Sequence, residues 1–150
     1  MKLTVSKLNK FLLFKLPSAF FCGVRVKEID VNKCVVSVKH RWINQNPFNS
    51  MYFAVQAMAA ELSTGALVMF QIAKSGRKIS MLVANNKGNF TKKATGRITF
   101  TCNDGHLIEK AILETIATGE GQPFWMKSIG TNETGIQVSE MDFEWSVRVK

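Results

Sequence analysis

Residues 51–73 read MYFAVQAMAAELSTGALVMFQIA, and the distribution of apolar side chains in this stretch decides the fold. Ala, Met, Leu and Phe fall around the whole helical circumference instead of along one stripe, the pattern of a helix enclosed by other elements. Glu61 is the only charged residue between Phe48 and Ala73. A carboxylate in that setting is costly unless it is hydrogen-bonded as a structural group or has a shifted pKa that suits it to chemistry. Both readings stand at this level. As a structural group, Glu61 would accept hydrogen bonds from Asn46, Asn49, Ser63 or a loop backbone. The length matches the roughly 20 residues that cross a bilayer, but Gln56, Glu61, Ser63, Thr64, Gly65 and Gln71 interrupt it, so no membrane span is expected.

Working outward, Asn44-Gln45-Asn46-Pro47-Phe48-Asn49-Ser50 is a loop dense in capping residues that leads into the helix. Lys74-Ser75-Gly76 puts a cation and a glycine where a helix C-terminus favours them. Upstream, Ser6 is the expected cap of a short helix with Leu8, Leu12 and Leu13 on one face, ended by Pro17. Val24, Val26 and Ile29 mark a strand, Asp30-Val31-Asn32-Lys33 a turn, and Cys34, Val36 and Val38 the second strand of a hairpin. Downstream, Ile79, Met81 and Val83 begin another strand. Asn85-Asn86-Lys87-Gly88-Asn89 reads as a turn, and a further alternation runs from Phe90 to Cys102. Asp104 is the expected cap of an amphipathic helix carrying Leu107, Ile108, Ala111, Ile112, Thr115 and Ile116, closed by Gly119. Gln122 to Lys150 reads as two strands joined at Thr131–Gly135. Ile136 and Val138 share one parity and Met141, Phe143, Trp145, Val147 and Val149 the other, which predicts a β-bulge near Ser139-Glu140. The sum is an α+β domain, a curved antiparallel sheet wrapped around one long helix, and residues 1–150 are expected to form a single domain.

Twenty Lys and Arg against 11 Asp and Glu give a formal charge of +9. The charges are scattered, with no block resembling a nucleic-acid arm, so nucleic acid is not an expected partner. Cys22, Cys34 and Cys102 are odd in number, widely spaced and set among apolar residues, which reads as buried thiols in a reducing, cytoplasmic compartment. Lys7, Lys10 and Lys15 break the apolar N-terminal segment, so it is not read as a secretory signal. His40 and His106 are isolated, and no Cys/His/Asp spacing suits a metal; neither metal nor cofactor is called for. Ser63 lacks the elbow and His partner of a serine hydrolase.

The element order, together with Asn46-Pro47-Phe48-Asn49-Ser50-Met51-Tyr52-Phe53-Ala54 before the helix, resembles hotdog-fold acyl-CoA thioesterases, whose helix is preceded by Asn-Pro-Phe-Gly-x-x-His-Gly-Gly. Glu61 falls nine residues after the motif's His position, where those enzymes carry Asp or Glu. The chain is also similar to a bacterial thioesterase-like hotdog family of unknown function, with an extra helix before the last two strands. The resemblance implies a homodimer or dimer of dimers that binds an acyl-CoA or fatty acyl ligand at its subunit interface. It further implies that the helix N-terminus stabilises the thioester oxyanion and that the helical carboxylate acts as base or nucleophile, often across the interface. Carried over by position, Glu61 and Asn46 are the candidate catalytic pair, and Tyr52, Phe53 and Ala54, with Asn49, the candidate substrate-binding residues. Arg77, Lys78, Lys92, Lys93 and Arg97 are candidates for the phosphates of CoA. The sequence departs from the motif where Tyr52 replaces His and Phe53-Ala54 replace Gly-Gly. A non-catalytic acyl- or lipid-binding protein, or an interaction module, is therefore the alternative reading.

Overall fold

A computed structural model describes residues 3–150. Its centre is α3, Phe53–Ser75, ended by Gly76 in the left-handed conformation at φ 68°, where a glycine carries no Cβ penalty. Before it come α1 (Val5–Lys15), α2 (Pro17–Phe21), β1 (Arg25–Ile29), β2 (Cys34–Lys39) and a 3₁₀ turn at Trp42–Asn44. After it come β3 (Ile79–Phe90), β4 (Arg97–Cys102), α4 (Gly105–Thr118), β5 (Gln122–Thr131) and β6 (Gln137–Val149). The six strands form one antiparallel sheet in the order β1-β2-β4-β5-β6-β3. The sheet curls around α3, giving the α+β arrangement expected from the apolar helix and the alternating strands, and the hotdog fold that the resemblance implies.

The core lies between the inner face of the sheet and α3. Val26, Cys34, Val36, Val38, Ile98, Phe100 and Val147 meet Ala59, Ala66, Leu67 and Val68 there, all essentially inaccessible. α3 is also the one described helix long and apolar enough to cross a membrane, and 61% of its most apolar window is buried within the domain. It is the core helix. Gly65 lets β6 come close: a Cβ at that position would lie 2.9 Å from the Trp145 ring, and the Trp145 indole N–H donates to Thr64 Oγ1 at 2.8 Å. A larger residue at 65 would push Trp145 out of the layer.

Several local expectations are corrected. Thr4, not Ser6, caps α1, its hydroxyl accepting from the Lys7 N–H. Pro17 follows the end of α1 and opens α2 at a first-turn position, where its missing N–H costs nothing. Asp104 precedes α4 without capping it, because its carboxylate accepts from the Lys127 N–H of β5 at 2.8 Å instead. Asn85–Asn89 is not a turn. It continues β3, paired residue for residue with Glu144–Glu140 of β6 after a bulge between Val83 and Asn85. This half of β3 is exposed on both faces, so it shows no apolar alternation, and the long β6 partner holds it extended. The reversal falls at residues 91–96, closed by Gly96 at φ 67°. In β6 the parity change occurs at Val138 and Ser139, both buried, where pairing with β5 skips from Ser139 to Gln137. That is one residue before the expected bulge.

The two sheet edges differ. On β1, the Asn9 side chain accepts from the Val26 N–H at 2.9 Å and donates to the Val26 carbonyl at 3.0 Å, so α1 closes that edge locally. β3 pairs only with β6. Its other edge is a row of unpaired backbone groups, a template for a further strand.

Candidate functional site

The loop before α3 is built by two asparagines. Asn44, 2% exposed, accepts from the Arg41 N–H through its side-chain oxygen and donates its amide to the carbonyls of Cys22 and Lys39, both at 2.9 Å. Its own carbonyl accepts from the Tyr52 N–H at 2.9 Å, which fixes the residue preceding the helix. Asn46 closes the tip. Its oxygen accepts from the N–H groups of Phe48 and Ser50, and its amide donates to Ser50 Oγ and the Met51 carbonyl. The polar atoms of Asn46 are thus engaged in the turn. Asn49 sits beside it at φ 58°, a left-handed position that Asn tolerates better than most residues. The Met51 N–H donates to the Ala94 carbonyl and Lys93 Nζ to the Phe48 carbonyl, so residues 91–96 lean against this loop.

Between these segments opens a cleft of about 670 Å³, walled by Pro47, Phe48, Met51, Tyr52, Phe53 and Phe90, with Lys92 and Lys93 in its lining. The wall is aromatic: Phe53 makes edge-on contacts with Tyr52 and Phe90, with centroids 5.1 and 6.2 Å away. The N-terminus of α3 ends at this cleft. The N–H groups of Val55 and Gln56 return to the Tyr52 carbonyl, whereas those of Phe53 and Ala54 have no acceptor among the described residues. Two free donors at the positive end of a helix of 23 residues suit a developing oxyanion. The Phe53 side chain, 55% exposed, stands where the resembling motif has glycine and lies along the cleft without using the N–H groups.

Glu61 lies two turns further along α3, outside the lining of this cleft. It is half-buried, as are Ala54, Ala57 and Met58 at helical spacing before it. The helix is therefore not enclosed on every side within one chain: a stripe from its N-terminus to Glu61 stays partly open. No described side chain bonds or pairs with the Glu61 carboxylate. Ser63 is turned to the Ala60 carbonyl and to Ser128, and Asn46 is used up in its turn. The carboxylate lies over Gly65, beside Trp145. Burial without a compensating partner pushes its pKa above the ordinary 4.5. The sign for stability follows: folding favours the neutral form, so this contribution is fully present below pH 4.5 and is lost as pH rises through the higher folded value. Glu61→Gln is accordingly expected to raise the melting temperature at neutral pH, with an advantage that shrinks to nothing below pH 4.5. Thermal scans across pH check this.

The candidate phosphate-binding cations are dispersed. Lys92 and Lys93 are at the cleft, but Arg77 and Lys78 follow α3 at the far end of β3, roughly 36 Å away along a strand of 12 residues. Arg97 lies elsewhere again, in a shallow hollow shared with Arg25, Lys27, Lys39 and Arg41 and containing no carboxylate. The register places Lys39 opposite Arg97 and Arg25 opposite Ser37, so cations distant in sequence meet on one sheet face. Burial and the neighbouring Arg41 charge lower the pKa of Arg25. The sequence reading missed this hollow, although its outward-facing strand positions are the signal that marks it. Gln56 was missed as well: it is 4% exposed, lines the cleft, and its Oε1 is buried without a partner. Of the three cysteines, Cys34 and Cys102 are buried free thiols raised to about 12 by burial, while Cys22 is only half-buried. Among the described residues no group of His, Cys, Asp and Glu is placed to hold a metal ion.

Comparison with known proteins agrees with this geometry. The family described as a domain of unknown function (DUF4442) matches residues 6–147. A Pseudomonas aeruginosa protein of unknown function, described as a probable thioesterase, superimposes with a TM-score of 0.84 at 22% identity, covering 100% of this chain and 99% of that one. A Chlorobaculum tepidum protein of unknown function gives 0.85 at 13% identity, covering 99% of each chain. A Haemophilus influenzae thioesterase gives 0.76 at 12% identity, covering 99% of this chain and 93% of that one. A search of curated proteins finds no match. These likenesses establish the hotdog fold.

Proposed function

The chain belongs to the DUF4442 family, and on that premise we propose that it is an acyl-CoA thioesterase acting on a fatty or aromatic acyl group. The observation that carries the reading is the pair of acceptor-free N–H groups, on Phe53 and Ala54, at the start of α3 beside an apolar cleft. A thioester carbonyl placed there directs its oxygen at both donors, and negative charge gathers on that oxygen as the carbonyl carbon becomes tetrahedral. Glu61 acts as general base. Its carboxylate takes a proton from water, the water oxygen bonds to the carbonyl carbon, and the C–S bond breaks. The CoA thiolate then takes up that proton, leaving the free acid and CoA.

Glu61 does not line the cleft of its own chain, so it serves the cleft of a second copy. In the proposed homodimer the open edge of β3 pairs with its equivalent and the half-buried stripe from Ala54 to Glu61 is covered by the partner. The unpaired strand edge, exposed Leu82 and Phe90 on β3, and the uncovered stripe support this arrangement. For the phosphates of CoA, Lys92 and Lys93 at the cleft are better placed than Arg77 and Lys78. The compartment is the reducing cytoplasm, consistent with free thiols at Cys34 and Cys102 even though the two residues face each other across β2 and β4.

A non-catalytic acyl binder is the second reading, favoured by Tyr52 and Phe53 where the resembling motif has His and Gly. Thiol release from a panel of saturated and aromatic acyl-CoA thioesters separates the two. Enzymatic turnover is expected for at least one member. Tight binding with no release above the buffer rate for any member would remove hydrolysis and leave the binder.

A further inference from the structure

Gln56 is the buried cleft-lining side chain whose polar atoms the fold leaves unused. It is 4% exposed, its Oε1 is buried, and neither end of its amide bonds to a described protein group. Of the other polar side chains in the lining, Asn46 and Ser50 bond to each other and to the loop and Lys93 bonds to the Phe48 carbonyl, while Tyr52 is exposed and its hydroxyl open to solvent. A buried amide without partners is rare in a folded protein, because its desolvation is not repaid. In the free protein, water in the cleft can serve the amide nitrogen, while Oε1 lies out of its reach. A ligand that displaces the water must replace those hydrogen bonds or bind less well.

Position along the helix says which part of the ligand meets the amide. Phe53 and Gln56 are three residues apart and both line the cleft, so they share a helix face and are offset by about 4.5 Å along the axis. This step rests on the proposed thioester site. With the carbonyl oxygen on the Phe53 and Ala54 N–H groups, Gln56 lies level with the acyl chain about three bonds beyond the carbonyl carbon. An alkyl chain offers the amide nothing there. A hydroxyl both donates and accepts, so it satisfies the amide whichever way its oxygen and nitrogen are turned.

We propose that Gln56 is a specificity-determining residue and that the cleft selects acyl groups carrying a hydroxyl close to the thioester, β-hydroxyacyl thioesters in particular. Gln56→Met tests this, since it keeps the length and volume of the side chain and removes both polar atoms. Two readouts are compared between wild type and variant: kcat/KM for a β-hydroxyacyl-CoA against the saturated acyl-CoA of equal chain length, and the thermal shift produced by the two corresponding free acids. Wild type is expected to favour the hydroxylated member by about tenfold or more, and Gln56→Met to lose that preference or reverse it with no fall in melting temperature. The same preference ratio in both proteins, in turnover and in binding, would overturn the proposal. The two claims fail separately. A Gln56-dependent preference in binding without turnover removes hydrolysis and leaves this site, and turnover indifferent to the hydroxyl removes this site and leaves hydrolysis. Neither binding nor turnover of any member overturns both.

Discussion

Glu61→Gln is expected to lower kcat for thioester hydrolysis by about a hundredfold to ten-thousandfold while leaving the protein better folded at neutral pH. The two effects have one cause. The carboxylate is desolvated and unpaired in the folded chain, which raises its pKa and leaves it free to take a proton from water. Gln keeps the shape, removes the charge and cannot act as a base. The pH profile gives an internal check: wild-type kcat should fall on the acid side at a pH above 4.5, and the residual rate of Glu61→Gln should lack that limb. Steady-state kinetics across pH, with melting curves on the same samples, read both. A variant with undiminished rate would show that Glu61 takes no part in the chemistry.

The second large effect is expected from Phe53→Pro, which deletes one oxyanion donor without disturbing the helix. Phe53 is the first helical residue, where proline is well tolerated. Tyr52 before it has φ −60° and ψ 135°, the extended conformation that a residue preceding proline prefers. The lost N–H had no acceptor among the described residues, so stability should change little beyond the edge-on contacts of an exposed ring. Loss of one donor in an oxyanion site costs about a hundredfold to a thousandfold in kcat. Phe53→Ala is the control, since it removes the same ring and keeps the N–H. A drop in rate for Pro but not for Ala, measured at saturating thioester, isolates the donor. Equal rates in all three proteins would exclude the helix N-terminus from the chemistry.

The parts of this fold that were legible in the sequence are those where burial imposes a pattern. α3 was legible because apolar residues filled its circumference. The β1–β2 hairpin was legible from the alternation of Cys34, Val36 and Val38 and from Asp30, whose carboxylate accepts from the N–H groups of Asn32 and Lys33. The irregularity in β6 was legible because a switch of parity admits few explanations. The second half of β3 was not, since Asn85–Asn89 is exposed on both faces and is held extended only by its partner strand. The candidate site divides in the same way. The loop and the helix start form a contiguous motif, so Asn46, Tyr52, Phe53 and Ala54 could be picked out together. The cationic hollow depends on strand register, which joins Arg25, Lys39 and Arg97 from three strands. Gln56 gave no signal beyond being a polar residue in an apolar helix; only its orientation into the cleft, with no partner, sets it apart.

The relation of the cleft to Glu61 carries the central claim, because the two belong to different chains in the proposed dimer. Subunit complementation between Phe53→Pro and Glu61→Gln tests it most directly. Each variant alone carries a defect in both of its sites. In a mixed dimer, the Glu61→Gln chain contributes an intact helix start and the Phe53→Pro chain an intact carboxylate, so one of the two sites regains both groups. Unfolding and refolding the two proteins together, then measuring thioester hydrolysis, should return activity well above the sum of the separately refolded variants. Activity no greater than that sum, with mixed dimers verified by mass spectrometry, would contradict a site shared between subunits.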